Sequence, residues 1–140
     1  MQRYPIDGVT QVVKNLTTDF TGLLVSEVNG INTKGKNRNI YKEPYAEANG
    51  DRVWVGTPYY ESTSINIKFY FKGTGRQSIY DSFCDYVNGY KLYYWDSYHS
   101  KKVSVIAEEI GEPVEEKYGS NPNIEVTIKF TNFGGTFTSV

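Results

Sequence analysis

The stretch TSINIKFYFKG at residues 63–73 decides the fold class of this chain. Its apolar side chains recur at every second position, as Ile65, Ile67, Phe69 and Phe71. A period of two is typical of a β-strand that buries one face and exposes the other. A shift of one residue would turn these side chains to solvent, so the register of the strand is strongly determined.

A helix is predicted directly after this strand, at about residues 75–88. Ile79, Phe83 and Val87 recur every four residues and form one apolar stripe. The pair Thr74 and Gln77 fits a capping box at the start of this helix. No other segment of the chain has a comparable helical period, so we expect a single helix.

Short segments of β-like composition fill most of the remaining chain. Tyr, Phe and Trp together make up 16% of the residues, and aromatic side chains fit a pleated sheet better than a helix. We predict a mainly β fold, an antiparallel β-sandwich or barrel, in a single domain over residues 1–140. The further predicted strands span residues 11–15, 20–28, 52–56, 90–96, 101–110 and 123–133.

Residues 31–50 show neither a period of two nor a helical period. Structureless stretches of this length are uncommon inside a compact domain. Tyr41, Pro44 and Tyr45 argue against simple disorder, because disordered tracts are poor in aromatic residues. We interpret the segment as a long loop that acts as an extended arm and docks on a partner; the alternative is a floppy loop.

Charge and composition exclude several functional classes. With 15 basic and 16 acidic residues the net charge is -1, which gives no bulk attraction to nucleic acid or to an anionic membrane. One cysteine and one histidine cannot supply a disulfide or a His-rich metal site. We interpret Cys84 as a packing residue and His99 as a solvated turn residue, and we expect no enzyme activity, cofactor or metal.

A cluster of glutamates near the end of the strand at 101–110 has two interpretations. It could form a pair of catalytic carboxylates or a calcium site, or it could be a solvated acidic surface. Catalytic carboxylates need an apolar pocket that raises one pKa, whereas this cluster surrounds Gly111 and Pro113 in a polar loop. We therefore favour an electrostatic surface made of Glu108, Glu109, Glu112, Glu115 and Glu116.

The densest aromatic group of the chain allows three interpretations. Exposed aromatic rings can stack on sugars or bases, they can form the centre of a protein interface, or they can belong to the core. The composition of the segment does not separate these. The group consists of Tyr90, Tyr93, Tyr94, Trp95 and Tyr98.

The order of these elements resembles the tail-ring proteins of long-tailed bacteriophages. The resemblance is to the N-terminal domain of distal tail proteins and to the related tail-tube proteins. It rests on TSINIKFYFKG at 63–73, RQSIYDSFCDYVNG at 76–89, KLYYWDSYHSKKVSVIAEE at 91–109 and IEVTIKFTNF at 124–133. Tube, terminator and distal-ring subunits all stay open as roles.

This resemblance implies a structural protein of the virion, made in the bacterial cytoplasm, without enzyme activity. Its partners would be further copies of itself, in a hexameric ring around a central channel, and other phage tail proteins. DNA would pass through the channel as cargo, and no membrane would be involved. The alternative from another class is a small carbohydrate-binding β-sandwich that works as a monomer and exposes a line of Tyr and Trp in a groove.

A cyclic ring joins two different patches of the same subunit, and the sequence offers two of opposite charge. The arm carries a local positive run, and the glutamate cluster is a local negative run. We predict that the two face one another across each subunit interface, with the arm tyrosines contributing buried area. The predicted interface residues on the arm are Lys34, Lys36, Arg38, Tyr41, Lys42 and Tyr45.

Overall fold

The computed structural model describes residues 1–38, 40–44, 51–55 and 59–139, and along 41–44 and 51–55 it describes the backbone alone. The described elements, in chain order, are β1 (Gln2–Arg3), α1 (Leu16–Asp19), β2 (Leu23–Asn29), β3 (Ile40–Pro44), β4 (Asp51–Val55), β5 (Thr63–Lys72), α2 (Arg76–Val87), β6 (Lys91–Asp96), β7 (Lys101–Ile110), β8 (Val114–Glu116), β9 (Asn123–Asn132) and β10 (Thr138–Ser139).

Eight of these strands form one antiparallel sheet, in the order β1-β6-β7-β9-β5-β2, with β8 pairing with β9 and β10 pairing with β7. The predicted mainly β, antiparallel class is confirmed. Over the described residues the sheet does not close on itself, so the fold is sandwich-like and not a closed barrel. β7 changes partners along its length, because residues 101–106 pair with β6 and residues 105–110 pair with β9.

The core lies on the face of the sheet that the alternation in β5 predicted. Ile65, Ile67, Phe69 and Phe71 are fully buried. Helix α2 covers this face with Phe83, whose ring centroid lies 4.8 Å from that of Phe69 and 5.8 Å from that of Phe71. The apolar stripe of the helix therefore packs on this face of the sheet.

The details of α2 differ from the prediction in two ways. Its buried side chains are Phe83, Tyr86 and Val87, and Ile79 is only partly buried. The buried side chains therefore lie in the C-terminal half of the helix. The capping box is absent, because Gly75 is the N-cap and makes no side-chain hydrogen bond. Gln77 instead donates to the carboxylate of Asp81, one turn further along the helix.

The predicted strand at residues 11–15 is wrong. This segment belongs to no described strand and leads into the short helix α1, so the expectation of a single helix is wrong as well. Asn15 caps that helix, and its side-chain oxygen accepts a hydrogen bond from the backbone N–H of Thr17 at 3.1 Å. Leu16 then packs into the core with 8% of its surface exposed.

The long loop predicted at residues 31–50 is found at residues 31–38, which lie outside any strand, but it contains the unpredicted strand β3 at Ile40–Pro44. Ile31 is buried in the core, with 1% of its surface exposed. The backbone N–H of Gly35 donates to Gly135 at 2.7 Å, and that of Arg38 donates to Tyr59 at 2.6 Å. After this anchored stretch, β3 pairs with β4 in a separate two-stranded sheet. The arm is therefore a hairpin whose base is fixed on its own subunit.

Two further segments are more ordered than their composition suggested. The polar loop after β7 contains β8, which pairs with the first residues of β9. The C-terminal segment adds β10 to the edge of β7, and Phe137 packs against the core. Within the part of the chain that the structure describes, no helix is long and apolar enough to cross a membrane.

Candidate interaction surfaces

The basic segment, which we define as Lys34, Lys36 and Arg38, is exposed and held in place at its backbone. The carbonyl of Lys36 accepts a hydrogen bond from the N–H of Glu61 at 2.8 Å. The ammonium of Lys34 lies 5.6 Å from the ring centroid of Phe137, and the guanidinium of Arg38 lies 5.3 Å from that of Tyr59. Among the described residues, none of these three cations forms an ion pair.

The other predicted arm residues lie in or beside the hairpin. Tyr41 and Lys42 belong to β3, where the register places them opposite Trp54 and Val53 of β4. Tyr45 lies outside the described residues. Tyr41 and Lys42 therefore lie on the hairpin, beyond its anchored base.

The glutamate cluster is divided by the structure into two groups. Glu108 and Glu109 lie on β7, and a Glu108 carboxylate oxygen accepts a hydrogen bond from the Thr131 hydroxyl at 2.6 Å and lies 3.7 Å from the Lys129 ammonium. The partners of Glu108 are thus on β9 of the same sheet. The described residues contain no group of carboxylates, cysteines or histidines suited to a metal ion.

The second group, which we call the acidic end, consists of Glu112, Glu115 and Glu116. All three side chains are exposed, on and just before β8. Glu115 lies 3.6 Å from the guanidinium of Arg76 at the start of α2. Within the described part of the chain, Glu112 and Glu116 form no ion pair.

The basic segment and the acidic end lie at opposite ends of the sheet. The basic segment runs beside Glu61, just before the first residue of β5. Within the acidic end, Glu116 lies beside the last residue of β5, because Lys72 pairs with Asn123, which in turn pairs with Glu116. Glu112 lies nearer the middle of the strand, because the N–H of Gly111 donates to Thr127, which pairs with Lys68. A strand of 10 residues is roughly 33 Å long, so the basic segment and Glu116 are separated by about the length of β5 within one subunit.

The aromatic group of β6 is distributed over both faces of the strand. Tyr94 faces the core, with 4% of its surface exposed. Tyr93 and Trp95 face the other way and are half-buried, with ring centroids 6.1 Å apart. The ammonium of Lys102 lies 4.4 Å from the Tyr93 ring and 5.0 Å from the Trp95 ring.

Two rings from distant parts of the sequence extend this outer aromatic stripe. Tyr4 stacks on Tyr93 at 4.1 Å, and Phe133 contacts the edge of Tyr4 at 5.7 Å. Sequence reasoning missed both, because only strand pairing brings them beside β6. The remaining members of the group are elsewhere, since Tyr90 stacks under the guanidinium of Arg3 at 3.7 Å and Tyr98 is 89% exposed in a turn.

The single histidine is more constrained than a solvated turn residue, which corrects the expectation from sequence. Its Nδ1 lies 2.7 Å from a carboxylate oxygen of Asp96, which is itself 6% exposed. The other carboxylate oxygen accepts the backbone N–H groups of Tyr98 and His99. Because an ionised carboxylate only accepts, Nδ1 carries the proton in this contact. The signal in the sequence was the Asp-Ser-Tyr-His spacing of a turn.

This Asp96–His99 pair is not joined to a nucleophile. In the described chain no serine or cysteine hydrogen bonds to His99. Burial raises the pKa of the Cys84 thiol, which keeps it protonated and unreactive. The Asp96–His99 pair therefore stabilises the turn between β6 and β7.

A groove of about 810 Å³ opens beside β2. Its first wall is the edge strand itself, from Leu24 to Val28; its second is formed by Met1 and residues 13–17, and its third by residues 94–99. Leu24 is 43% exposed and Val13 is 56% exposed, so apolar side chains stand in the groove beside polar ones such as Lys14 and Asn15. The Asp96–His99 pair lies in the third wall.

Comparison with protein-family models, with curated proteins and with solved structures finds no match to this chain.

Proposed function

We propose that this protein is a structural subunit of a bacteriophage tail that assembles with copies of itself into a ring around a central channel. The proposal assigns it the role of a distal-tail or tail-tube-like subunit in the virion. Its starting point is the resemblance carried by the segments that form β5, α2, β6, β7 and β9. The proposal needs no catalytic residue, cofactor or metal.

One observation supports self-assembly most directly, namely the placement of unpaired opposite charges at the two ends of β5. Lys34 and Lys36 stand near the first residue of β5, Glu116 stands beside its last residue, and Glu112 stands nearer its middle. Among the described residues, none of these four charges has an ion-pair partner. A contact between opposite ends of neighbouring copies is heterologous, and such contacts close into rings when the rotation between copies allows it.

The charges would orient the subunits and would not supply most of the binding free energy. An exposed ion pair contributes about 0 to 1 kcal/mol, whereas complementary fields accelerate correct association and disfavour wrong orientations. Buried apolar contacts would then hold the ring together. The hairpin of β3 and β4 is the natural source of these contacts, because its base is fixed on the same end as the basic segment.

The first test is the assembly state of the purified protein. Native mass spectrometry at high micromolar concentration, with negative-stain electron microscopy of the same sample, should show a closed hexameric ring with a central channel. The same measurements should be repeated with tail-tube protein added. A protein that stays monomeric in both samples would overturn the proposal.

A charge-swap experiment tests whether the unpaired basic and acidic side chains meet between neighbouring copies. The pair Lys34→Glu and Lys36→Glu should lose assembly, and so should the pair Glu112→Lys and Glu116→Lys, because each places like charges at the interface. Combining all of these substitutions in one chain restores complementarity and should restore rings. Rings from each pair alone would show that these charges do not meet.

A second candidate is supported by the outer aromatic stripe, which presents Tyr93 and Trp95 on an open sheet face. Aromatic faces stack on sugar rings, so a carbohydrate-binding monomer would use this stripe. The discriminating measurement is tryptophan fluorescence of the Trp95→Phe variant and the parent during titration with soluble oligosaccharides. A saturable change that disappears in the variant, in a protein that stays monomeric, would favour this candidate.

A further inference from the structure

The groove beside β2 lies between two parts of the sheet that are far apart in strand order. β2 is at one end of that order and β6 is next to the other end, yet both strands contribute to the walls of the groove. The sheet therefore curls until its two ends approach one another, although no ladder joins them among the described strands. A curled sheet encloses a space as a small β-barrel does, and such spaces hold small ligands. The volume of about 810 Å³ is in the range of roughly 300 to 1,000 Å³ that is typical of small-molecule pockets.

Tyr94 lies in the wall of this groove with a hydroxyl that lacks a partner. Only 4% of the surface of this residue is exposed, and the hydroxyl forms no hydrogen bond within the described part of the chain. Unlike the hydroxyl of Tyr86, which is sealed from solvent, that of Tyr94 is still accessible. Burial raises the pKa of Tyr94, so its hydroxyl keeps the proton and can donate it to an acceptor in the groove.

Lys14 is a second group of the groove without a partner. Its side chain is partly buried, yet among the described residues its ammonium forms neither an ion pair nor a hydrogen bond. Asp96 is the one carboxylate among the described residues of the lining, and it is already bound by His99 and two backbone N–H groups. The lining therefore carries a positive charge that no neighbouring carboxylate neutralises.

Backbone pairing brings Lys14 close to Tyr94. Gln2 pairs with Tyr93, so Met1 lies opposite Tyr94. The Met1 amine donates to the Lys14 carbonyl at 2.9 Å, and the Lys14 N–H donates to the Met1 carbonyl at 2.8 Å. Paired chains lie about 4.8 Å apart, so the backbones at Lys14 and Tyr94 are roughly 10 Å apart. A lysine and a tyrosine side chain can both reach one ligand group across this distance.

The wall that faces this pair is largely apolar. On β2 it consists of Leu24, Val25, Ser26 and Val28, and the buried side chain of Leu16 adjoins it. Apolar surface of this kind gains free energy when an apolar ligand removes it from water. The groove thus combines two polar donors with a wall that fits an apolar body.

We propose that the groove binds a small amphiphilic carboxylate. Its head group accepts a hydrogen bond from the Tyr94 hydroxyl and neutralises the Lys14 ammonium, while its apolar body lies along β2. A carboxylate fits both groups because it only accepts hydrogen bonds, and such charge-assisted bonds are stronger than neutral ones. The site goes beyond the proposed function, since no residue of the basic segment or the acidic end lines the groove.

Three probes test the head group and the body separately. Isothermal titration calorimetry of the full chain should show one saturable site for octanoate. Octylammonium has the same body with the opposite charge, and acetate has the same head without the body, so both should bind at least tenfold more weakly. If octanoate does not bind at low millimolar concentration, or octylammonium binds equally well, the proposal is wrong and the Tyr94 hydroxyl needs only water. Either result leaves the proposed self-assembly standing.

Two variants then place the head group. Tyr94→Phe keeps the ring and removes a hydroxyl without a partner, so its melting temperature should match that of the parent while octanoate binds at least fivefold more weakly. Lys14→Met should weaken octanoate binding by a similar factor. The matched controls are Tyr118→Phe and Lys117→Met, at exposed positions outside the groove, and both should bind octanoate as the parent does. Unchanged octanoate affinity in either groove variant would overturn the assignment.

Discussion

Phe83 shows how much of the structure rests on single aromatic side chains. It is fully buried, and its ring contacts Phe69 and Phe71 on β5 and, at 5.3 Å, the ring of Phe20 before β2. It therefore connects the helix to the central strand and to the N-terminal segment. The sequence predicted its burial, because the alternation of β5 and the four-residue spacing of α2 each leave one apolar face to cover.

Truncating this side chain should be costly. We expect Phe83→Ala to lower the free energy of unfolding by about 3 to 5 kcal/mol, since it removes buried surface and leaves a cavity. Urea denaturation followed by tryptophan fluorescence measures the loss, and Ser82→Ala, at an exposed position on the same helix, is the control. A loss below about 1 kcal/mol would mean that the helix packs elsewhere.

Tyr80 makes the stability depend on alkaline pH. Burial, with a smaller contribution from Cys84, raises the pKa of its hydroxyl from 10.0 to about 12. The unfolded chain therefore loses this proton near pH 10, while the folded chain keeps it until about pH 12. The stability that Tyr80 contributes is complete below pH 10 and falls as the pH rises through this window.

The corresponding variant is Tyr80→Phe, which keeps the ring contact with Phe71 at 5.4 Å. Urea denaturation from pH 8 to pH 11 should show a shallower fall in stability for this variant than for the parent. Tyr118→Phe, at a position that is 89% exposed, should follow the parent curve. Equal slopes for Tyr80→Phe and the parent would contradict the argument.

At the scale of elements, the sequence predicted what has a strict period and missed what depends on distant partners. The bounds of β5 and β7 agree with the prediction, and α2 differs by one residue at each end. β3 was missed because Ile-Tyr-Lys-Glu-Pro has no alternation, so only its pairing with β4 makes it a strand. The segment at 11–15 has β-like composition but finds no neighbouring strand.

The placement of the candidate surface residues was predicted only in part. The sequence identified the charged groups, but it could not show that the glutamates divide between β7 and the region of β8. This division depends on the pairing of β8 with β9, which the sequence did not reveal. It also could not show the groove, whose walls come from β2, the N-terminal segment and the end of β6. Such sites exist only after the sheet has formed.

The hairpin should be removable without loss of the fold. Its base is closed by the hydrogen bond from Arg38 to Tyr59 and by the bridge between Asn37 and Tyr60. Replacing residues 40–57 with Asn-Gly, a favoured two-residue turn, should therefore leave the melting temperature within about 5 °C of the parent. The same variant should stay monomeric in sedimentation velocity. Unfolding on removal would show that the hairpin stabilises its own subunit, and rings without it would show that it is not the contact.

At the scale of the whole molecule, the core face of the described sheet is covered by packed side chains, whereas its edge lacks a strand partner. The core is continuous from Leu16 through β5 to β9, whereas the edge of β2 and the hairpin lack a second strand partner among the described residues. Unpaired charges occupy the two ends of the same sheet. Under the proposed function, these margins are the surfaces that would contact further copies of the chain.

These two kinds of contact should respond differently to salt. The Debye length falls from roughly 10 Å at 0.1 M to roughly 3 Å at 1 M ionic strength, so the attraction between the basic segment and the acidic end is screened over this range. Steering by exposed charges acts mainly on the association rate, whereas buried apolar contacts set the dissociation rate. Stopped-flow light scattering at 0.1 M and 1 M NaCl should therefore show association slowed at least tenfold and dissociation changed less than twofold. The hairpin variant Trp54→Ser should give the opposite pattern, with faster dissociation and nearly unchanged association. If salt instead accelerates dissociation as strongly as it slows association, the ion pairs hold the subunits together and the hairpin is not the main apolar contact.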